Sequence, residues 1–165
     1  MTSITKQRVI LIRNRYNERN YYISLQGGLK VLSKQLEDTI KEILQERVQP
    51  SFILLFGSFA KGTAREDSDL DIAYFSETTL SNFERFLLAG SIAESCQIDV
   101  DLVDIKQVDT VFAAQIFSMG VLLDCADENE FIKQRMKAYS MYATLNEQRI
   151  EILQGIEERG SVLGE

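Results

Sequence analysis

Phe52-Ile53-Leu54-Leu55-Phe56-Gly57-Ser58-Phe59-Ala60-Lys61-Gly62-Thr63-Ala64-Arg65-Glu66-Asp67-Ser68-Asp69-Leu70-Asp71 decides how the chain folds. Its first five residues are an uninterrupted apolar run, which reads as a buried strand. Gly57-Ser58 breaks that strand, and Gly62 permits a second tight backbone feature shortly after. A polar turn, Arg65-Glu66-Asp67-Ser68, leads into a second strand over 69–75. Successive side chains of a strand alternate faces, so Asp69 and Asp71 point the same way. Two neighbouring carboxylates repel and raise each other's pKa unless a cation stands between them. Hard oxygen ligands suit Mg²⁺, which is usually held by one or two carboxylates together with substrate phosphates. Backbone N–H groups at a Gly-Ser turn entering a helix supply an anion site for such phosphates. The combination implies phosphoryl or nucleotidyl transfer.

Composition narrows the chemistry further. The 165 residues fit a single domain with its own core. No apolar run is long enough for a membrane span and no signal-like segment opens the chain, so the expectation is a cytoplasmic protein. Cys96 and Cys125 lack metal-ligand spacing and read as free thiols. The net charge of −7 counts against a general nucleic-acid binder. There is no histidine, which removes histidine bases, histidine ligands and the Ser/His/Asp and Cys/His nucleophile arrangements. Acid–base work falls to carboxylates, lysine, tyrosine or the acceptor itself.

Gly57-Ser58, ten residues, then Asp69-Leu70-Asp71 resembles the signature of the polymerase-β-like nucleotidyltransferase superfamily. With Gly62-Thr63-Ala64-Arg65 and Ser68 in place, the wording is similar to the minimal nucleotidyltransferases, and among them to the MntA-type antitoxins of HEPN/MNT toxin–antitoxin pairs. The resemblance covers about residues 50–125. It implies an α/β (α+β) fold, a small mixed sheet covered by helices. It also implies a third carboxylate on a later strand. In Gln97-Ile98-Asp99-Val100-Asp101-Leu102-Val103-Asp104, Asp101 fits that context best, and Asp99 shares its face one pleat away. Asp69, Asp71 and Asp101 are then the catalytic and metal-binding set for a two-metal Mg²⁺ site. With histidine absent, Asp101 is also the best base within the chain. Gly57 and Ser58 would meet the triphosphate of ATP, and Lys61 and Arg65 are candidates to neutralise its charge. The implied partner is a cognate HEPN-domain toxin ribonuclease, silenced by AMP placed on a tyrosine hydroxyl. The rivals are an antitoxin that neutralises by binding alone, a small-molecule (antibiotic) nucleotidyltransferase and a nucleic-acid terminal transferase. The short chain and its acidity disfavour the last two.

Three segments organise the chain: an N-terminal extension, 1–28; a nucleotidyltransferase core, 29–125; and a C-terminal helix, 126–165, packing on or extending the core. The extension carries Val9-Ile10-Leu11-Ile12 and Arg- and Tyr-rich residues without a clean period, and is expected to be frayed or to form one irregular helix. After Gly27-Gly28, the residues Leu29, Leu32, Leu36, Ile40, Ile43 and Leu44 form a helical apolar stripe closed by Pro50. Thr79 is a plausible cap for a helix over 80–96, with Phe83, Phe86, Leu87 and Ile92 on its apolar side. A strand over 97–104, a helix over about 106–118 ending at Gly120, and a strand over 121–124 follow. A long helix over about 128–157 presents Phe131, Ala138, Tyr142, Leu145, Ile152 and Ile156 along one side, and Met136, Tyr139 and Met141 offer a possible partner face.

Overall fold

The computed structural model describes residues 10–13, 20–23, 32–65 and 67–159. In chain order its elements are β1 (Ile10–Arg13), β2 (Asn20–Ile23), α1 (Lys34–Val48), β3 (Phe52–Leu55), α2 (Gly57–Lys61), β4 (Leu70–Phe75) and α3 (Asn82–Cys96). They continue with β5 (Val100–Asp104), a 3₁₀ turn (Ile105–Gln107), α4 (Thr110–Met119), β6 (Val121–Cys125) and α5 (Glu128–Arg159). The expected mixed sheet is present, with four strands in the order β5-β4-β3-β6. β3 pairs antiparallel with both β4 and β6, whereas β4 and β5 are parallel. A parallel pair needs a crossover, and α3 supplies it.

Each face of the sheet is covered. On one face Ile53, Leu55, Leu70, Ile72, Tyr74 and Leu102 pack with Ile40 and Leu44 of α1 and with Leu88, Ile92 and Cys96 of α3. On the other, Phe52, Leu54, Ala73 and Phe75 pack with Ile116 and Phe117 of α4 and with Phe131 and Ala138 of α5. β3 and β4 are therefore buried on both faces, which is why the deciding stretch begins with a continuous apolar run.

Local chemistry sets the helix ends. Ser33 caps α1 by accepting from the Leu36 N–H at 3.2 Å. Gln49, held at φ 46° ahead of Pro50, ends it. Helix α3 starts later than expected, because Ser81 rather than Thr79 is its cap. The Ser81 hydroxyl accepts from the Glu84 N–H, and the Glu84 carboxylate accepts from the Ser81 N–H at 2.8 Å, a capping box.

Three expectations are corrected. An irregular helix in the N-terminal extension gives way to an antiparallel pair, β1 with β2, in keeping with the β-branched and aromatic residues of Ile10–Arg13 and Asn20–Ile23. Leu29 lies outside the described residues. On α3, Phe83, Phe86 and Leu87 are exposed, and the buried seam is Leu88-Ile92-Cys96, one residue per turn. On α5, among the stripe residues whose burial is described, Phe131 and Ala138 are buried and Leu145 is half-buried, while Tyr142 and Ile152 are exposed, since the helix runs on past the sheet that covers its first turns.

Candidate active site

The carboxylates gather where β3 ends and β4 and β5 begin. Phe56 leaves β3 in extended conformation and Gly57 enters α2 at φ +65°. Only glycine fits there: a Cβ would stand 1.9 Å from Oδ2 of Asp71 and is disfavoured by the positive φ as well. The Phe56 N–H donates to the Asp71 carbonyl at 3.0 Å, fixing this turn against β4. Gly62, at φ +68°, ends the short helix, and the Thr63 N–H turns back to the Ser58 carbonyl at 3.0 Å. Next, the Arg65 N–H donates to Ser68 Oγ at 2.8 Å and the Ser68 N–H to the Arg65 carbonyl at 3.2 Å. Ser68 thus orders the turn that delivers Asp69.

Asp71 projects toward the α4 side of the sheet, two residues before Ala73, which packs there. The Leu70 N–H donates to the Asp99 carbonyl at 2.8 Å, and this bond sets the parallel register in which Asp71 lies opposite Asp101. Burial raises the Asp71 pKa, and the nearby charges of Asp101 and then Asp69 raise it further. The Ser58 N–H, donating to its carboxylate, and the Lys61 ammonium oppose that shift. Three acidic groups thus share one field, with Ser58 and Lys61 beside them. Arg65 is exposed on the turn, and Asp99 lines a separate shallow hollow with Asp67, Ser68 and Glu94.

A half-buried carboxylate with a raised pKa, faced by two others, fits a divalent cation, whose charge would offset their repulsion. Among the described residues no three acidic side chains are gathered tightly enough to enclose an ion unaided.

Two neighbours of the site escaped the sequence reading. Phe112 of α4 packs edge-on against Phe56, ring centroids 5.6 Å apart, and lines the hollow that opens beside Asp101. Asp104 is almost fully buried; its carboxylate accepts from the Lys106 N–H at 2.9 Å and the Gln107 side-chain amide at 3.2 Å, anchoring the 3₁₀ turn after β5. Nothing local in the sequence distinguishes Asp104 from a surface charge.

A glycine turn lodged against an aspartate pair, with a third aspartate in register on a parallel neighbour, defines a nucleotidyltransferase of minimal size. Residues 38–129 match the family described as polymerase beta, nucleotidyltransferase, and the chain belongs to that family. It is 33% identical over 121 residues to the protein adenylyltransferase MntA of Shewanella oneidensis, covering 73% of this chain and 86% of that protein. A crystal structure of a toxin–antitoxin with AMP-PNP superposes with a TM-score of 0.67 at 33% identity, over 73% of this chain and 98% of the other. The tri-AMPylated Shewanella oneidensis HEPN toxin in complex with MNT antitoxin matches at 0.63 and 30% identity, over 75% and 98%. No described helix is long and apolar enough to cross a membrane.

Proposed function

We propose that the chain is an antitoxin that works as a protein adenylyltransferase, moving AMP from ATP to a tyrosine hydroxyl of a cognate HEPN toxin in the cytoplasm. The observation that carries this reading is the register of Asp71 with Asp101 beside the Gly57–Ser58 turn. The kinship to MntA and to AMPylated toxin complexes supports the acceptor class. The register also favours Asp101 over Asp99 as the third carboxylate. The division at about residues 28 and 125 belongs to the same proposal.

Asp69, Asp71 and Asp101 would hold Mg²⁺. The bound ions would neutralise phosphate charge and lower the pKa of the attacking hydroxyl. Gly57, having no Cβ, leaves Asp71 room beside the turn, and Ser58 and Lys61 line the triphosphate side, with Arg65 further out. Asp101 would take the tyrosine proton. The tyrosine oxygen attacks the α-phosphorus in line, an O–P bond forms, the bond to the bridging oxygen breaks and pyrophosphate leaves. Beyond this, the protein mainly positions groups and balances charge.

Intact-mass measurement of the HEPN partner after incubation with the chain, ATP and Mg²⁺ tests the reading. The expected result is a gain of AMP that disappears in the Asp69→Asn/Asp71→Asn double variant. No gain, alongside a stable complex that silences the toxin, would replace transfer by occlusion.

A further inference from the structure

Strand β5 carries the candidate base and is also an edge of the sheet, with β4 as its only strand partner among the described residues. In a parallel ladder alternate residues address the neighbour. Because the Asp99 carbonyl accepts from Leu70, the odd residues bond to β4, and Val100, Leu102 and Asp104 turn their N–H and C=O groups outward. Exposed edges are usually blunted by proline, by charged side chains, lysine above all, or by a bulge. Val100-Asp101-Leu102-Val103-Asp104 has no proline or lysine and pairs without a register break, whereas the opposite edge strand, β6, shows one against β3; of its two charges, Asp104 is buried and Asp101 belongs to the site.

A groove of about 320 Å³ runs along this edge. Asp101 lies on its floor, Phe112 toward the Gly57 turn, and Arg85 and Phe86 of α3 on the far wall. The wall is already braced: Arg85 donates to Gln107 Oε1 at 2.6 Å and to Asn82 Oδ1 at 3.0 Å, and Gln107 donates to the Leu80 carbonyl at 3.2 Å. Beside it Phe86 is 72% exposed, Phe83 68% and Leu87 51%, three large apolar side chains on one stretch of helix. Of the three only Phe86 lines the groove; Phe83 and Leu87 continue the apolar surface along the helix away from it, and contiguous exposed apolar surface of this kind marks an interaction site.

We propose that this edge is the acceptor's docking track: the HEPN partner lays its tyrosine-bearing segment along β5 as an added strand, with Phe86 as an apolar anchor. The proposal rests on the adenylyltransferase reading and specifies how the acceptor is held. Main-chain hydrogen bonds from Val100, Leu102 and Asp104 would supply affinity. The alternation of an added strand would direct one side chain past Phe112 to Asp101. A second copy of this chain is the poorer occupant, because Asp99 and Asp101 of two acidic edges would be brought together.

Two measurements decide it. With the HEPN toxin as substrate, Phe86→Glu is expected to raise KM for the toxin about tenfold or more while KM for ATP stays unchanged. Hydrogen exchange of the complex, held with a non-hydrolysable ATP analogue, should slow at the outward amides of Val100, Leu102 and Asp104. A Phe86→Glu variant with wild-type KM for the toxin, or unchanged exchange at these amides in the complex, overturns the docking track and leaves the adenylyltransferase reading standing. Protection of the same amides in the chain alone, growing with its concentration, assigns the edge to a second copy and overturns the proposal. If the unaltered chain transfers no AMP to the toxin, the adenylyltransferase reading fails and the docking track falls with it.

Discussion

Gly57 and Asp71 are a single steric and electrostatic unit, since the space a Cβ would fill at residue 57 is occupied by the Asp71 carboxylate. Gly57→Ala must strain a left-handed backbone and displace that carboxylate. It should cost about 1–3 kcal/mol of stability in a urea melt. Misplacing the carboxylate should lower AMP transfer about 10²-fold. Equal activity in the alanine variant would mean that the turn relaxes without moving Asp71. The raised Asp71 pKa has its own consequence. The folded chain holds this proton more tightly than the unfolded chain. The stabilisation is therefore complete below the unfolded-state pKa and is lost as pH rises through the folded one. At neutral pH the ionised group is thus a burden on the metal-free fold. Asp71→Asn in EDTA should melt at or above the wild-type temperature at pH 7, and the gap should close toward pH about 4, while transfer is abolished. A variant that melts lower at pH 7 would contradict the origin assigned to the shift.

Helix α3 shows where a sequence pattern stops short. It has two apolar stripes, Phe83-Phe86-Leu87 and Leu88-Ile92-Cys96, and periodicity alone cannot say which one meets the sheet. The parallel crossover from β4 to β5 decides it, and it turns the smaller side chains inward and the phenylalanines out. The helix start was, by contrast, written locally: Ser81-Asn82-Phe83-Glu84 is a capping-box sequence, a stronger signal than Thr79 two residues earlier. Ser81→Ala should therefore cost about 1 kcal/mol in thermal or urea melts. Thr79→Ala, whose hydroxyl only accepts a bond from the Lys106 ammonium at the surface, should stay within about 0.5 kcal/mol. Equal losses at both positions would put the start of α3 in the wrong place.

The sheet was the most legible part of the molecule because β3, the glycine turn and β4 are consecutive, so a strand, a turn and an alternating pair could be read without long-range information. The third carboxylate was less so. Asp99 and Asp101 share a face, and only the Leu70–Asp99 bond shows which of them lies opposite Asp71. The limits of α5 were legible to within two residues, about 128–157 against Glu128–Arg159, but what it buries was least legible, because the helical pattern continues after the core beneath it has ended. Phe131 sits edge-on to Phe52 at 5.1 Å and tilted against Phe117 at 5.9 Å, inside the aromatic cluster that closes one face of the sheet. Ile152 and Leu153, some five to six turns further on, are 61% and 64% exposed. Phe131→Ala should thus cost about 3–5 kcal/mol by opening a cavity in that cluster. Ile152→Ala and Leu153→Ala should each shift the isolated chain by no more than about 0.5 kcal/mol. Urea melts with unchanged m values would establish that contrast. A loss of several kcal/mol at Ile152 or Leu153 would mean that the far half of α5 folds back on its own chain, and the stripe it carries would then be core after all.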